Sequence, residues 1–245
     1  MTDFGNPAGE QGDPDLPNRL SRMARLVQEA TGAAGRPVAD VRLLLATKTI
    51  EPARIRQALA AGFTLIGENK VQEVVAKAGL LADLEHECHL IGHLQHNKIN
   101  LLLPHVTCVQ TVDSGELADH LDTRITAPGR TLNVFLQVNV SEEPTKSGVS
   151  LADLPALLEQ VSRCRNLRIR GYMTIGLNST DRNAVRAGYR ALATFRDDAH
   201  HRGLPGAEQA TELSMGMSAD FPEAIAEGAT IVRLGSAVFG PRPST

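Results

Sequence analysis

Val41-Arg42-Leu43-Leu44-Leu45-Ala46-Thr47-Lys48 is the stretch that indicates the fold, because it is an apolar run that stops at a lysine. Residues 41–47 predict a strand buried on both faces, since the run is too short for an ordinary helix. Thr49-Ile50-Glu51-Pro52 then breaks the run, and Pro52 suits the first turn of a following helix. The stretch is therefore typical of one strand–helix unit in an α/β protein.

The same alternation of strand and helix continues along the chain. Further strands are predicted over residues 63–66, 88–91, 106–112, 132–140, 169–175, 211–214 and 230–234, and an additional helix over residues 17–33 precedes the first strand. Eight such units without a linker predict an α/β fold, a single closed (β/α)8 TIM-type barrel with an extra N-terminal helix. The alternative is an open doubly wound sheet, which the lack of a GxGxxG or GxxxxGK[ST] phosphate loop disfavours.

Composition excludes several classes of protein. Hydrophobic residues make up 42% of the 245 residues, enough for a substantial core, and the net charge of -3 gives no reason to expect a nucleic-acid or membrane partner. Residues 1–16 are polar, so we expect a disordered leader there and the barrel domain over residues 17–245. Cys88, Cys108 and Cys164 form no CxxC pair, which favours buried thiols in a reduced, cytoplasmic protein.

Lys48 is the first candidate for chemistry, because active sites of such barrels lie at the C-terminal ends of the strands. An amine where a buried strand meets a loop can lose hydration, which lowers its pKa and makes it a nucleophile. Such an amine forms Schiff bases with carbonyl compounds, pyridoxal 5'-phosphate (PLP) among them. The alternative is a strand-end lysine whose ammonium group simply reaches water.

Two loops predict an anion site at the same face of the barrel. Ser214-Met215-Gly216-Met217-Ser218 follows the seventh strand and opens a helix, and free backbone N–H groups at a helix start can bind phosphate. Gly235 and Ser236 follow the eighth strand, which neighbours both the seventh and the first in a closed barrel. The alternative for Ser218 is ordinary helix capping, and Asp220 counts against an anion because it already brings negative charge.

Other polar residues near strand ends have less specific interpretations. Arg233, near the end of the eighth strand, points either into the barrel mouth or into a salt bridge, and without a site the salt bridge is favoured. Asn69 can donate or accept hydrogen bonds. Glu68 is interpreted as structural and Lys146 as a loop residue at the rim. We expect no metal site, because the candidate ligands are spread over a strand, a loop and a helix start; these are His86, His89, His93 and His96.

Longer motifs carry a resemblance to a known family. They are Ala46-Thr47-Lys48-Thr49, Gly67-Glu68-Asn69-Lys70-Val71-Gln72-Glu73, His89-Leu90-Ile91-Gly92-His93-Leu94-Gln95-His96-Asn97-Lys98, Lys146-Ser147-Gly148, Leu213-Ser214-Met215-Gly216-Met217-Ser218-Ala219-Asp220 and Val232-Arg233-Leu234-Gly235-Ser236. In this order they resemble the pyridoxal phosphate homeostasis protein family (YggS/PROSC-like), whose fold is like the alanine racemase N-terminal barrel. The chain departs from the family pattern at Lys70, Tyr172 and Ser236.

The resemblance implies that PLP is the cofactor and gives each candidate residue a role. Lys48 would hold PLP as a Schiff base, and Arg233 would face the pyridine nitrogen. Ser218, Gly235 and Ser236 would hold the phosphate, with Asn69 beside the cofactor. None of the three departures from the family pattern removes one of these contacts.

The resemblance further implies a protein that buffers or delivers PLP and catalyses no reaction of its own, with apo PLP-dependent enzymes as partners. An amino-acid racemase is the main alternative, and a Schiff-base aldolase is a third. Alanine racemases carry a further β domain with a tyrosine base, and this chain ends directly after the eighth strand, with Tyr172 as the only substitute. We therefore expect a monomer. Arg233 stays protonated and leaves the pyridine nitrogen neutral, which makes the cofactor a weaker electron sink.

Overall fold

Eight parallel strands close into a barrel in the computed structural model, which describes residues 13–141, 143 and 146–240. The strands are β1 (Arg42–Ala46), β2 (Leu65–Glu68), β3 (Glu87–Leu90), β4 (Cys108–Val112), β5 (Leu132–Gln137), β6 (Leu167–Met173), β7 (Glu212–Ser214) and β8 (Ile231–Leu234). Each strand pairs with the next in the sequence, and β8 pairs with β1 to complete the circle. The predicted (β/α)8 TIM-type barrel is confirmed.

Helices surround the barrel and connect consecutive strands. They are α1 (Leu16–Ala33), α2 (Pro52–Ala60), α3 (Val71–Leu81), α4 (Ile99–Leu102), α5 (Gly115–Arg124), α6 (Leu154–Ser162), α7 (Arg182–His201), α8 (Phe221–Ala226) and α9 (Ser236–Phe239). Proline occupies the first turn of α2, where its missing N–H is not needed, and the Asp181 carboxylate accepts two N–H groups at the start of α7. The additional helix ahead of the first strand is present as α1.

Some element boundaries differ from the sequence prediction, and local hydrogen bonds explain the differences. β2 begins at Leu65 rather than at Phe63, because the Phe63 N–H donates to Ala58 O (3.1 Å) and so closes the end of α2. α8 begins at Phe221 rather than at Ser218, because the preceding residues form a turn in which Asp220 N–H donates to Met217 O (3.1 Å). In both cases a terminal hydrogen bond shortens the regular element.

The folded region includes the last residues of the predicted leader. Leu16 is fully buried at the start of α1, and the Asp13 carboxylate pairs with Arg19 and Arg54. A buried leucine and a shared ion pair therefore fix residues 13–16 to the barrel. Residues 1–12, the rest of that leader, lie outside the described residues.

Apolar side chains pack on both sides of the strands. The apolar cluster inside the barrel is made of Leu44, Leu65, Cys108, Phe135, Met173 and Ile231. A larger cluster lies between the strands and the helices, and the buried face of α1 belongs to it through Leu16, Leu20, Met23 and Val27. The first strand is therefore buried on both faces, as its apolar run predicts. Within the described residues, no helix is sufficiently long and apolar to cross a bilayer.

Candidate functional site

A cavity of about 550 Å³ opens at the C-terminal ends of β1, β2 and β8. The structure brings all six residues predicted from the sequence to its lining: Lys48, Asn69, Ser218, Arg233, Gly235 and Ser236. Apolar side chains complete the wall, among them Ile91, Ile175 and Phe239. A cavity of this size, apolar with a few convergent polar groups, is typical of a small-molecule site.

Lys48 reaches this cavity from a tight turn directly after β1. The Thr47 carbonyl accepts the Ile50 N–H at 3.0 Å, so Lys48 and Thr49 are the two central residues of a four-residue turn. Thr47 itself is fully buried, and its N–H donates to Gly67 O at 2.9 Å. The backbone on the N-terminal side of Lys48 is thus fixed to the neighbouring strand β2.

Asn69 follows β2 and contributes a half-buried amide to the cavity. Within the described part of the chain, its Oδ1 atom is buried and has no hydrogen-bond partner. An orphaned buried oxygen of this kind is rare in folded proteins, and a bound donor would satisfy it. The Asn69 backbone is packed closely against Gly92, where an added Cβ would lie 2.1 Å from Asn69 O.

Gly92→Ala is therefore expected to displace the Asn69 backbone and to lower the free energy of unfolding by about 1–3 kcal/mol, as overpacking does. Urea unfolding of the apo-protein measures the effect. Gly79→Ala is the matched control, because nothing lies within 4 Å of the Cβ that it adds in α3. Alanine is the better helix former, so the control is expected to be neutral or stabilising. A Gly92→Ala protein as stable as the wild type would contradict the close packing of Asn69.

The loop after β7 is shaped by Asp220. One carboxylate oxygen accepts the Met217 N–H at 2.6 Å, and the other accepts the Tyr189 hydroxyl at 2.9 Å. Gly216 has a φ of 90°, and a Cβ there would lie 2.5 Å from Ala224 Cβ, so the loop requires glycine at this position. The negative charge that counted against an anion site is thus engaged by hydrogen bonds from Met217 in the loop and from Tyr189 on α7, while Ser218 lines the cavity.

The loop after β8 presents backbone donors at the start of α9. The first hydrogen bond of that turn is made by Val238 N–H to Gly235 O at 3.0 Å. The N–H groups of Ser236 and Ala237 come before it, so they have no intrahelical acceptor. Together with the hydroxyls of Ser218 and Ser236, they are the groups at this end of the cavity that suit an anion.

Arg233 forms the floor of the site and is only 6% exposed. Its guanidinium donates to Ser214 O (2.6 Å), to Ser214 Oγ (2.9 Å) and to Thr174 O (2.7 Å). Burial lowers the pKa of Arg233 to about 10, so the side chain is still positively charged at neutral pH. Of the two orientations that the sequence allowed, the structure shows the first. Arg233 points into the barrel mouth, and its hydrogen bonds go to neutral oxygens rather than to a carboxylate.

A chain of polar groups behind Arg233 was not predicted. Ser214 Oγ donates to Gln110 Oε1 at 2.6 Å, and Gln110 Nε2 lies 2.8 Å from His89 Nδ1. Since the amide nitrogen can only donate, His89 Nδ1 accepts and the proton sits on Nε2. Burial lowers the pKa of His89, which keeps the ring neutral inside the barrel. The sequence did contain a signal for these residues, because every second side chain of a barrel strand points inward.

The remaining candidates lie elsewhere. Tyr172 is fully buried in the cluster between strands and helices, its ring 5.4 Å from that of Phe195, and it does not line the cavity. Burial raises the pKa of its hydroxyl. Lys146 Nζ donates to Glu143 Oε1 (2.7 Å) and to Gly176 O (3.0 Å). Lys70 is exposed at the N-cap of α3.

The histidines considered as metal ligands are separated, but His96 lies in a grouping that was not predicted. Its Nδ1 is 3.6 Å from Glu116 Oε1, and His120 Nε2 is 3.7 Å from the same oxygen. The Arg124 guanidinium lies 3.0 Å from His120 Nδ1 and can only donate, so Nε2 of that ring carries the proton. The ligand atoms of His96, Glu116 and His120 lie within 4.8 Å of one another, a spacing that could hold a metal ion, so the expectation of no metal site stays a prediction.

Comparisons with known proteins agree with the geometry. Residues 20–243 match the family described as "Alanine racemase, N-terminal domain". A curated relative from Pseudomonas aeruginosa, named pyridoxal phosphate homeostasis protein, is 42% identical over 227 residues, 93% of this chain and 96% of the relative. The structure of PipY from Synechococcus elongatus with PLP bound matches with a TM-score of 0.79 and 36% identity, over 92% of this chain and 100% of PipY. Alanine racemase from Corynebacterium glutamicum shares the fold (TM-score 0.62, 15% identity), with 93% of this chain matching 62% of the racemase.

Proposed function

This chain belongs to the pyridoxal phosphate homeostasis protein family, and from that premise we propose that it binds PLP in the cavity around Lys48 and maintains the intracellular supply of the cofactor by buffering or delivering it. The observation that carries the proposal is the meeting of an amine, an anion site and a buried guanidinium in one cavity. PLP has an aldehyde, a phosphate and a pyridine nitrogen, and the cavity offers a matching group to each.

Each residue of the cavity has a role in this proposal. Lys48 supplies the amine that holds PLP as a Schiff base. Ser218, Gly235 and Ser236 surround the phosphate, since hydroxyls and the amides at the start of α9 lie on that side of the cavity. Arg233, held in place by its hydrogen bonds to Ser214 and Thr174, would donate to the pyridine nitrogen. The unpaired Oδ1 of Asn69 fits a cofactor that brings a donor to it.

We propose further that the site holds the cofactor without catalysing a reaction. Bound PLP would supply an aldehyde that condenses with amines and a ring that accepts electrons. Arg233 is charged and can only donate, so it gives the ring nitrogen a hydrogen bond but no full positive charge. The two tyrosines supply no second base, because Tyr172 lies outside the cavity and the Tyr189 hydroxyl is bonded to Asp220.

The setting of the protein follows from the same proposal. Apo PLP-dependent enzymes are the expected recipients of the cofactor. Cys88, Cys108 and Cys164 form no disulfide, and burial raises the pKa of all three thiols, which supports a reducing, cytoplasmic location. The protein is proposed to act as a monomer.

Spectroscopic titration with PLP followed by transfer to an apo-enzyme is expected to show one cofactor bound per chain and its delivery to the enzyme. The amino acids would then be assayed with the loaded protein for racemisation, transamination and decarboxylation. Turnover at ordinary enzymatic rates, about 1 per second or faster, would reject the non-catalytic role in favour of the racemase alternative. Failure to bind PLP would reject the proposal as a whole.

A further inference from the structure

The turn that carries Lys48 has an unusual backbone conformation. Thr49 has a φ of 62°, and among the described residues it is the one non-glycine residue with a positive φ. The third position of a turn with this geometry is normally glycine or asparagine, since a β-branched side chain crowds the backbone there. Some interaction outside the turn must therefore hold Thr49 in place.

Glu73, on the first turn of α3, provides that interaction. Its Oε2 atom accepts the Thr49 N–H at 2.7 Å. The hydrogen bond is charge-assisted, and the Glu73 side chain is 21% exposed, so water competes only partly for it. This bond fixes the peptide group between Lys48 and Thr49.

Lys77 and Glu68 complete the arrangement on the other side of the turn. Lys77 Nζ donates to Thr47 O (2.8 Å) and to Glu68 Oε1 (2.8 Å), and it lies 3.3 Å from Glu73 Oε2. Glu68 Oε1 also accepts the Thr47 hydroxyl at 2.6 Å. We call Glu68, Glu73 and Lys77 the turn clamp, because together they bind the residues on both sides of Lys48.

We propose that the turn clamp positions the Lys48 amine at the cavity, with Glu73 and Lys77 as positioning residues that act through the backbone. The inference rests on the proposed function at Lys48. None of the three clamp residues lines the cavity, so any effect on PLP must pass through the turn. A lysine side chain has many rotamers, and a fixed backbone limits the directions in which its amine can point.

The first test needs no cofactor. Hydrogen exchange of the apo-protein, resolved at single amides, is expected to show the Thr49 N–H exchanging at least about tenfold faster in Glu73→Ala than in the wild type. Glu73→Gln keeps an acceptor oxygen and is expected to retain most of the protection. Glu29→Ala is the matched control. Like Glu73, Glu29 pairs with a cation four positions away on its own helix, in this case Arg25, and the Glu29 side chain is exposed. Unchanged exchange at Thr49 in Glu73→Ala would overturn the clamp.

The second test separates positioning from stability. Glu73→Ala is expected to weaken PLP binding about tenfold relative to Glu29→Ala, at a temperature where both proteins are folded. In a Thr49→Gly background the same substitution should cost about threefold or less, because glycine adopts a positive φ without help. An equal loss in both backgrounds, or none in either, would overturn the inference. Failure of the wild type to bind PLP would instead reject the proposed function, and the exchange result would still decide whether the clamp holds the turn.

Discussion

Lys48→Ala is expected to abolish the covalent attachment of PLP and the yellow colour of the loaded protein. The amine of Lys48 is the nucleophile in the proposed cavity, and alanine has nothing to condense with the aldehyde. Borohydride reduction followed by peptide mapping measures the attachment, with one PLP expected on the Lys48 peptide of the wild type. Residual, reversible binding of PLP is expected in the variant, because Ser218 and Ser236, which are proposed to hold its phosphate, are unchanged.

Lys70→Ala is the control for the loss of a positive charge at the mouth, since Lys70 is exposed and does not line the cavity. It should keep the reducible linkage. Lys70→Ala should unfold at the same urea concentration as the wild type to within experimental error, because it changes only an exposed side chain. A Lys48→Ala protein that retained the visible absorbance of the wild type would show that another lysine holds the cofactor.

The barrel could be predicted from the sequence because its signals are local. Most strands contain a short apolar run, as in residues 41–47, and are followed by a helical period. Element boundaries were less predictable, since they depend on single terminal hydrogen bonds such as that of Phe63 with Ala58. The burial of Leu16 was not predicted either, because it depends on packing against distant parts of the chain.

The meeting of the candidate residues could also be predicted, because barrel closure places β8 beside β1 whatever the side chains are. The residues behind them could not. Glu73 and Lys77 reach Thr49 and Thr47 from a helix more than twenty positions further on, and nothing in the sequence fixes those distances. Glu68 was interpreted as structural, and its bonds to Thr47 and Lys77 show what it connects.

Arg233 links the pocket to the interior of the barrel, which gives its substitution a large expected effect. Its guanidinium joins β8 to β7 and to Thr174 after β6 through three hydrogen bonds. Arg233→Leu leaves Thr174 O buried without a donor, while Ser214 O keeps only the Thr174 N–H (3.1 Å), and an unsatisfied buried acceptor costs about 1–3 kcal/mol. We expect the free energy of unfolding of the apo-protein to fall by about 3 kcal/mol, measured by urea unfolding.

Two further variants separate the contributions of Arg233. Ser214→Ala removes only the hydroxyl between Arg233 and Gln110 and is expected to cost about 1 kcal/mol. Arg233→Lys keeps the positive charge but cannot reproduce the planar fork, so its stability should lie between those of the wild type and Arg233→Leu. If Arg233→Leu were as stable as the wild type, the three hydrogen bonds would not be holding the ends of β6, β7 and β8 together. If Arg233→Leu were unstable but bound PLP normally, Arg233 would be a structural residue of the barrel and not the partner of the pyridine nitrogen.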